Sequence, residues 1–423
     1  MSFSTAISGL TAAANLLSVT GNNVANANTS GFKESRSEFE DLYASNFANV
    51  TATMPGAGVR IANVAQQFHQ GTLDYTNNTL DLGISGEGFF VLGQGLDNTN
   101  AQVYSRNGTF HTNQDGFVIN NDNQPLLVRA ANGATVEAGF SNTLTPLQLN
   151  TSQAEPQATT EVNLAFNLNA NSKVPVDVNN SPLAFNLTDS TTYNWSNSVT
   201  TYDSLGNTHV VANYFVKSST AGQWDMYSAI DGSQLNTTAV PLAFDANGNL
   251  TNVNGASPEA TGLSLGPYTI PNSNANPLTI AMDLKGSTQL AATSNVNSVS
   301  QDGLPIGNMT GVSIDKTGVV SANYSNGASK PLGQVALARF QNNQGLQKLG
   351  DTEWAQTVSS GAAITGAAGT TGFGAINSGA LEQSNVDIAQ QLIKLIVAQQ
   401  SYQANAQSIT TENEAVQSIL NIR

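Results

Sequence analysis

The sequence predicts an α+β multidomain chain with paired, coiled-coil-like terminal α-helices and nested, mainly antiparallel β domains, the outer one inserted in the inner one. Three observations lead there. Apolar and small residues recur in steps of three and four at both ends, short alternating runs between Gly, Asn and Asp fill the middle, and two composition shifts bracket an insert. A length of 423 residues fits about two to four domains.

At the N-terminal end Phe3, Ala6, Leu10, Ala13, Leu17, Thr20 and Val24 form a helical stripe, with small residues where close approach is wanted. Gly21 and the Asn-rich run to Gly31 should end that helix, because Gly and Asn accept a left-handed cap. At the other end Ile388, Leu392, Leu395, Ala398, Tyr402, Ile409, Val416 and Ile419 keep the rhythm. Ser384 or Asn385 can cap this second helix, and Asp387 adds a carboxylate to its first turn. Residues 1–32 carry no charge, and from Ile388 to Thr411 the one charge is Lys394. Gln390, Gln391, Gln399, Gln400, Gln403, Gln407, Ser401 and Asn405 occupy the other faces, where an exposed helix would use Glu–Lys pairs. Two surface helices of one domain would explain the stripes alone. The uncharged flanks point instead to ends that pair with each other and pack on further copies, where an unpaired buried charge is costly.

The middle reads as strands at Val59–Val64, Leu80–Ile84, Gly88–Leu92, Gln102–Tyr104, Phe117–Ile119 and Pro125–Val128. Asn107-Gly108, Asp115-Gly116, Asn132-Gly133, Asp231-Gly232 and Asn247-Gly248 are hairpin signals. Residues 162–168 and 183–187 echo each other as half-buried strands. Thr208–Val216 and Trp224–Ile230 follow as consecutive strands around Ser218–Gly222, and strands resume at Gly311–Ile314, Val319–Asn323 and Gly333–Phe340. Met54-Pro-Gly-Ala-Gly58 reads as the tip of an extended hairpin, expected to touch a neighbouring copy through Met54, Pro55, Gly56 and Gly58 because a lone ribbon is marginal. Residues 361–379, rich in Gly, Ala and Thr, read as a flexible extended arm into the last helix. The resulting scheme is a terminal helical core of 1–30 and 385–423, a connecting arm of 31–71 and 358–384, an inner β domain of 72–155 and 300–357, and an outer β domain of 156–299.

Composition excludes several chemistries. With 14 Lys and Arg against 29 Asp and Glu, the net charge is −15, too poor in cations to neutralise nucleic-acid phosphates. Without Cys there is no disulfide framework or thiolate nucleophile, and His69, His111 and His209 are too scattered for a histidine metal centre. Gly83-Ile-Ser-Gly-Glu-Gly88 has the order GxxGxG and runs into Phe89-Phe90-Val91, so it reads as a strand turn and not a phosphate cradle. Asn113, Asp115 and Asp302 could offer oxygens to calcium, but none follows an EF-hand pattern. Trp195, Trp224 and Trp354 read as core. No catalytic, cofactor or metal residues are expected. The first residues lack the basic start and solid apolar core of a secretory signal, and no stretch of about 18 apolar residues suggests membrane insertion.

The termini carry longer motifs. Ser8-Gly-Leu-Thr-Ala-Ala-Ala14 and Gly21-Asn-Asn-Val-Ala-Asn-Ala-Asn-Thr-Ser-Gly-Phe-Lys33 resemble the N-terminal signature of the bacterial flagellar rod and hook family. Ala380-Leu-Glu-Gln-Ser-Asn-Val-Asp-Ile388, Ala398-Gln-Gln-Ser-Tyr-Gln-Ala-Asn-Ala406 and Ile419-Leu-Asn-Ile-Arg423 resemble its C-terminal signature. Leu80–Val91 and Tyr104–Phe110 look like its inner β domain. Tyr202–His209, the Trp224 strand and Phe244–Leu250 resemble the outer domain of the hook branch, which shorter rod proteins lack; Gln301–Gly303, Gly333–Phe340 and Gly350–Trp354 match its later segments.

The resemblance implies a non-enzymatic structural subunit. It would polymerise helically into a curved tube, a universal joint between rod and filament, and leave the cell through the flagellar type III export apparatus without a cleaved signal. The implied partners are the chain itself, the distal rod protein, the hook cap protein and the hook–filament junction protein. Phe3, Leu10, Leu17, Val24, Ile388, Leu392, Leu395, Tyr402, Ile409, Val416 and Ile419 would form the polymer core. A distal-rod or junction subunit is the alternative within the family, and a secreted β-rich adhesin the alternative outside it.

Overall fold

The computed structural model describes residues 3–42, 56–96, 98, 101–133, 135–149, 153–258 and 263–421. The chain divides into two compact units. One comprises Met1–Asn150, Gly311–Asn323 and Ser329–Arg423, the other Thr151–Thr310 and Tyr324–Ala328.

The first unit opens and closes with the long helices α1 (Phe3–Ala25) and α2 (Ile388–Leu420), which lie against each other. Helix α1 runs through Gly21, contrary to expectation, and stops within the Asn-rich run; the left-handed residue comes later, at Gly31 with φ 73°. Continuing the helix carries Asn23 to Ser35, where its amide both donates to the backbone carbonyl at 2.8 Å and accepts from the N–H at 2.9 Å. Helix α2 is capped by Asp387 itself, whose carboxylate accepts from the N–H groups of Ala389 and Gln390 at 2.9 and 3.2 Å. Asn385, expected as a cap, instead accepts from the Glu34 N–H and donates to the carbonyls of Gln67 and His69. By length and composition α1 is apolar enough to cross a membrane, which corrects the expectation that no segment is; its Ala, Leu, Ile and Val residues reach that threshold although Ser, Thr and Asn interrupt them.

Strands Ser35–Asp41 and Val59–Gln66 form an antiparallel ribbon after α1. The main sheet of this unit has ten strands organised on Ser329–Arg339, which pairs with Val319–Tyr324, Leu127–Ala131, Phe89–Gly93 and Ile364–Ala367. Strand alternation sends Phe90, Leu92, Val335 and Leu337 to one core and Phe89, Val91, Ala336 and Ala338 to another, so both faces are buried. Phe89 meets Phe68 and Trp354 edge-on at 5.6 Å in the second core.

Residues 361–379 are no flexible arm. Ile364–Ala367 and Ala375–Ser378 are strands, paired with the central strand and with Leu82–Ser85, and Ala368 and Ile376 are buried. Their small residues permit close packing: a Cβ on Gly374 would strike the backbone of Ser85 and Gly86. Asn107-Gly108 is likewise no hairpin. The backbone of Gly108 lies flat against Leu82, leaving no room for a Cβ, and its carbonyl accepts from the Leu82 N–H at 2.9 Å.

In the second unit an antiparallel sheet runs Trp195–Tyr202, Thr208–Lys217, Gln223–Ile230, Val240–Phe244 and Leu250–Val253, with Asp231-Gly232 turning left-handed at φ 49° and 79°. A second sheet is built on Glu161–Asn169, which pairs parallel with Leu278–Asp283 and Thr288–Leu290 and antiparallel with Asn295–Gln301. Phe166, Phe215, Trp224, Met226 and Ile280 share one core. Residues 183–187 are not a strand; Phe185 is held by stacking on Tyr227 at 4.2 Å.

One carboxylate joins the helical end of the first unit to its sheet. Glu382, fully buried, accepts from Lys33 Nζ at 2.6 Å, Arg106 at 3.1 Å and the Gly71 N–H at 2.9 Å, while its backbone carbonyl accepts from Gly31. Lys33 Nζ also donates to the His69 carbonyl and Arg106 to that of Gly86. Burial lowers the pKa of both cations, and Glu382 opposes that shift in each. Glu382→Ala would strand two buried cations and should cost about 3–5 kcal/mol in urea unfolding. Lys33→Met should cost clearly less, since Arg106 still neutralises Glu382; equal losses would contradict this account of the joint.

Candidate polymer interface on the terminal helices

The helices meet through small and polar side chains. Ala6, Ala13 and Thr20 are buried on α1 at seven-residue spacing; on α2 Gln391 and Ala398 are buried and Asn405 half-buried at the same spacing. Gly9 lies so close to Asn405 that a Cβ there would strike the amide. Small residues at the repeating seam positions let the two backbones approach. At the sheet-proximal end Asn23 Nδ2 donates to Gln391 Oε1 at 3.2 Å, and Gln391 Nε2 donates to Glu34 Oε1 at 2.7 Å. Lys394 Nζ reaches the same carboxylate oxygen at 2.9 Å. Gln391 therefore belongs to the seam and not to an outer face, as its neighbours Gln390 and Gln399 do.

This seam distributes the candidate residues unequally. Leu10, Leu17, Val24, Leu395 and Ile409 are half-buried along its margins, whereas Phe3, Ile388, Leu392, Tyr402, Val416 and Ile419 are exposed. The stripe meets its partner through Ala6, Ala13, Thr20 and Ala398, and most of its bulk faces outward. Ile7, Ile393, Ile396, Val397 and Leu420 were missed by periodicity and are exposed too, Ile393 at 64% and Ile396 at 52%. The signal for Ile393, Ile396 and Val397 is the run Leu392-Ile393-Lys394-Leu395-Ile396-Val397, in which Lys394 is the one polar residue. Apolar residues on several faces of one helical stretch normally mean burial on several faces, and here one chain covers a single face.

The ribbon after α1 runs along that helix. Val59 N–H donates to Ser8 Oγ at 3.2 Å, Ser37 Oγ donates to Asn15 Oδ1 at 2.8 Å, and a Cβ on Gly58 would strike Ser8. Gly56 is exposed; Met54 and Pro55 lie outside the described residues. The oxygens considered for calcium cap turns: Asn113 Oδ1 accepts from the Asp115 and Phe117 N–H groups, and Asp302 from those of Thr160 and Glu161.

Known proteins share this arrangement in order along the chain. Family models match at residues 3–33 (flagella basal body rod protein), 83–155 (flagellar hook protein FlgE/F/G D1 domain), 167–304 (flagellar basal body protein FlaE D2 domain) and 377–422 (flagellar basal body rod FlgEFG protein C-terminal). The flagellar hook protein FlgE of Escherichia coli K12 is 37% identical, with the whole of both chains covered. The chain belongs to the flagellar hook protein family. The hook protein FlgE of Borreliella burgdorferi is 32% identical over 99% of this chain and 98% of its own. The crystal structure of Helicobacter pylori flagellar hook protein FlgE2 covers 73% of this chain and 100% of its own with a TM-score of 0.53; at 17% identity it supports the α+β multidomain fold. As a family member the chain is a structural subunit of the flagellar hook and not an enzyme, and the family carries self-assembly in the flagellar axis. The adhesin and rod alternatives fall to these full-length matches.

Ala398→Leu tests the seam. The added methylenes would meet α1 where it is closest and should cost about 1–3 kcal/mol in denaturant unfolding of the terminal helices. Leucine at the exposed Gln399 should cost within about 0.5 kcal/mol, read by the same helical circular dichroism signal.

Proposed function

We propose that copies of this chain assemble helically into a curved, flexible tube that transmits motor torque from rod to filament, with the terminal helices as its inner wall. The exposed apolar surface of α2 carries this reading. Ile388, Leu392, Ile393, Ile396 and Val397 are about half exposed in the single chain, and each would gain about 1 kcal/mol if fully buried by a neighbour. Phe3, Tyr402, Val416 and Ile419 extend the surface, and Leu10, Leu17, Val24, Leu395 and Ile409 border it. The exposed amides of Gln399, Gln403 and Gln407 suit a channel wall that neither holds nor repels passing subunits.

In this reading residues 1–30 and 385–423 form the tube core and 31–71 with 358–384 the connecting arm, whose tip at Met54, Pro55, Gly56 and Gly58 touches a neighbour. Residues 72–155 with 300–357 form the inner β domain and 156–299 the outer one. The distal rod protein, hook cap protein and hook–filament junction protein are its further partners, and the flagellar type III export apparatus its route out of the cell without a cleaved signal.

Ile393→Glu and Ile396→Lys place charge on the proposed contact without touching the α1–α2 seam. Both variants should keep the unfolding midpoint of the parent chain and fail to form tubes after salting-out, as seen by negative-stain electron microscopy. Curved tubes at normal yield from either variant would sink the reading.

A further inference from the structure

The second unit leaves one sheet edge open in an unusual way. Strand Asn295–Gln301 pairs, among the described residues, only with Glu161–Asn169, and every residue from Asn295 to Ser300 is exposed. Val296 is 38% and Val299 51% exposed. An open strand offers a row of unpaired N–H and C=O groups, so proteins that remain single blunt such edges with Lys, Pro, charge or brevity. Lys, Pro, charge and brevity are all absent here. Between Lys285 and Asp302 no residue is charged and none is proline. The one irregularity is a bulge on the open strand itself, where Asn297 has no opposite residue between the pairs Ala165–Ser298 and Phe166–Val296.

The opposite edge of the same sheet shows the contrast. Leu263–Tyr268 carries Pro267, which cannot donate to a further strand. Beside the open strand, within 8 Å, runs the edge Trp195–Tyr202 of the other sheet, which pairs on one side with Thr208–Lys217 and is likewise free of charge and proline. Two edges free of charge and proline therefore lie close together within the unit.

Charge selects the occupant. Two identical chains of net charge −15 repel each other, and close approach is least costly where neither surface bears a charge. A strand edge needs no side-chain complementarity beyond that, because the backbone supplies both donors and acceptors. We infer that Asn295–Gln301 is a self-association edge, onto which a second copy of this chain adds an uncharged extended segment by backbone pairing. The inference rests on the self-assembly proposed above, and it assigns the second unit a contact distinct from the helical seam.

The chain has no cysteine, so Ser298→Cys supplies a unique thiol. Labelled with a short photoreactive cross-linker and illuminated under assembly conditions, it should give a ladder of covalent multimers whose cross-linked peptides map to residues 153–310 of a neighbour. In parallel, Val296→Lys/Val299→Lys should raise the critical concentration for assembly about tenfold, with unchanged unfolding because both sites are exposed. Tubes without a ladder, or an unchanged critical concentration in the lysine variant, overturn the edge pairing alone. A ladder without tubes upholds it and overturns the hook-tube reading; neither ladder nor tubes overturns both.

Discussion

Glu382 is a buried side chain that ties the helical end of the first unit to its sheet. Its two carboxylate oxygens and its carbonyl bind the chain just after α1, the end of the ribbon and the turn carrying Arg106. α2 begins six residues later. Such a cluster is poor at adding net stability, because desolvating three charges consumes most of what their attraction returns. What it provides is a single geometry: an apolar substitute could slide, whereas a carboxylate facing a guanidinium, an ammonium and a fixed N–H cannot. A subunit that transmits torque needs that kind of joint more than it needs another kilocalorie.

The seam between the helices follows the same economy of shape. If the bulky residues of the stripe had turned inward, the pair would be stable alone and present a polar exterior. Alanine, glycine and threonine at the closest positions instead let the backbones approach, and the leucines and isoleucines are pushed to the margins and the outside. Closeness within one chain and adhesiveness between chains are thus consequences of a single choice of residue size at every seventh position.

Periodicity made the elements legible and left their partners hidden. Both helices, the central strand at Ser329–Arg339 and the paired strands from Thr208 to Ile230 could be read from spacing, because burial on one or two faces writes itself into the sequence. Gln391 could not: an amide that satisfies Asn23 and Glu34 inside a seam looks the same in sequence as one facing a channel. Asp387 was visible as a carboxylate but not as the cap, a distinction set by where the backbone turns. Residues 361–379 misled because Gly and Ala serve equally for looseness and for backbone packed too tightly to admit a Cβ. The longest-range feature, Lys33 with Glu382, is separated by 349 positions and leaves no local pattern at all.

The scarcity of charge ties these parts together. Lys33, Arg36, Arg60, Arg106, Lys285 and Lys394, six of the 14 cations, are already paired with carboxylates of the same chain, and acids outnumber cations 29 to 14. The net charge of −15 on each copy opposes contact. Cohesion has to come from surfaces where charge is missing, and the uncharged stretches 1–32, 395–411 and 286–301 include part of the exposed helical face and the open strand edge. Added salt would screen the repulsion, whose range at 0.15 M is about 8 Å, while leaving apolar and backbone contacts in place. Assembly driven this way should strengthen as ionic strength rises, the reverse of a polymer built on salt bridges.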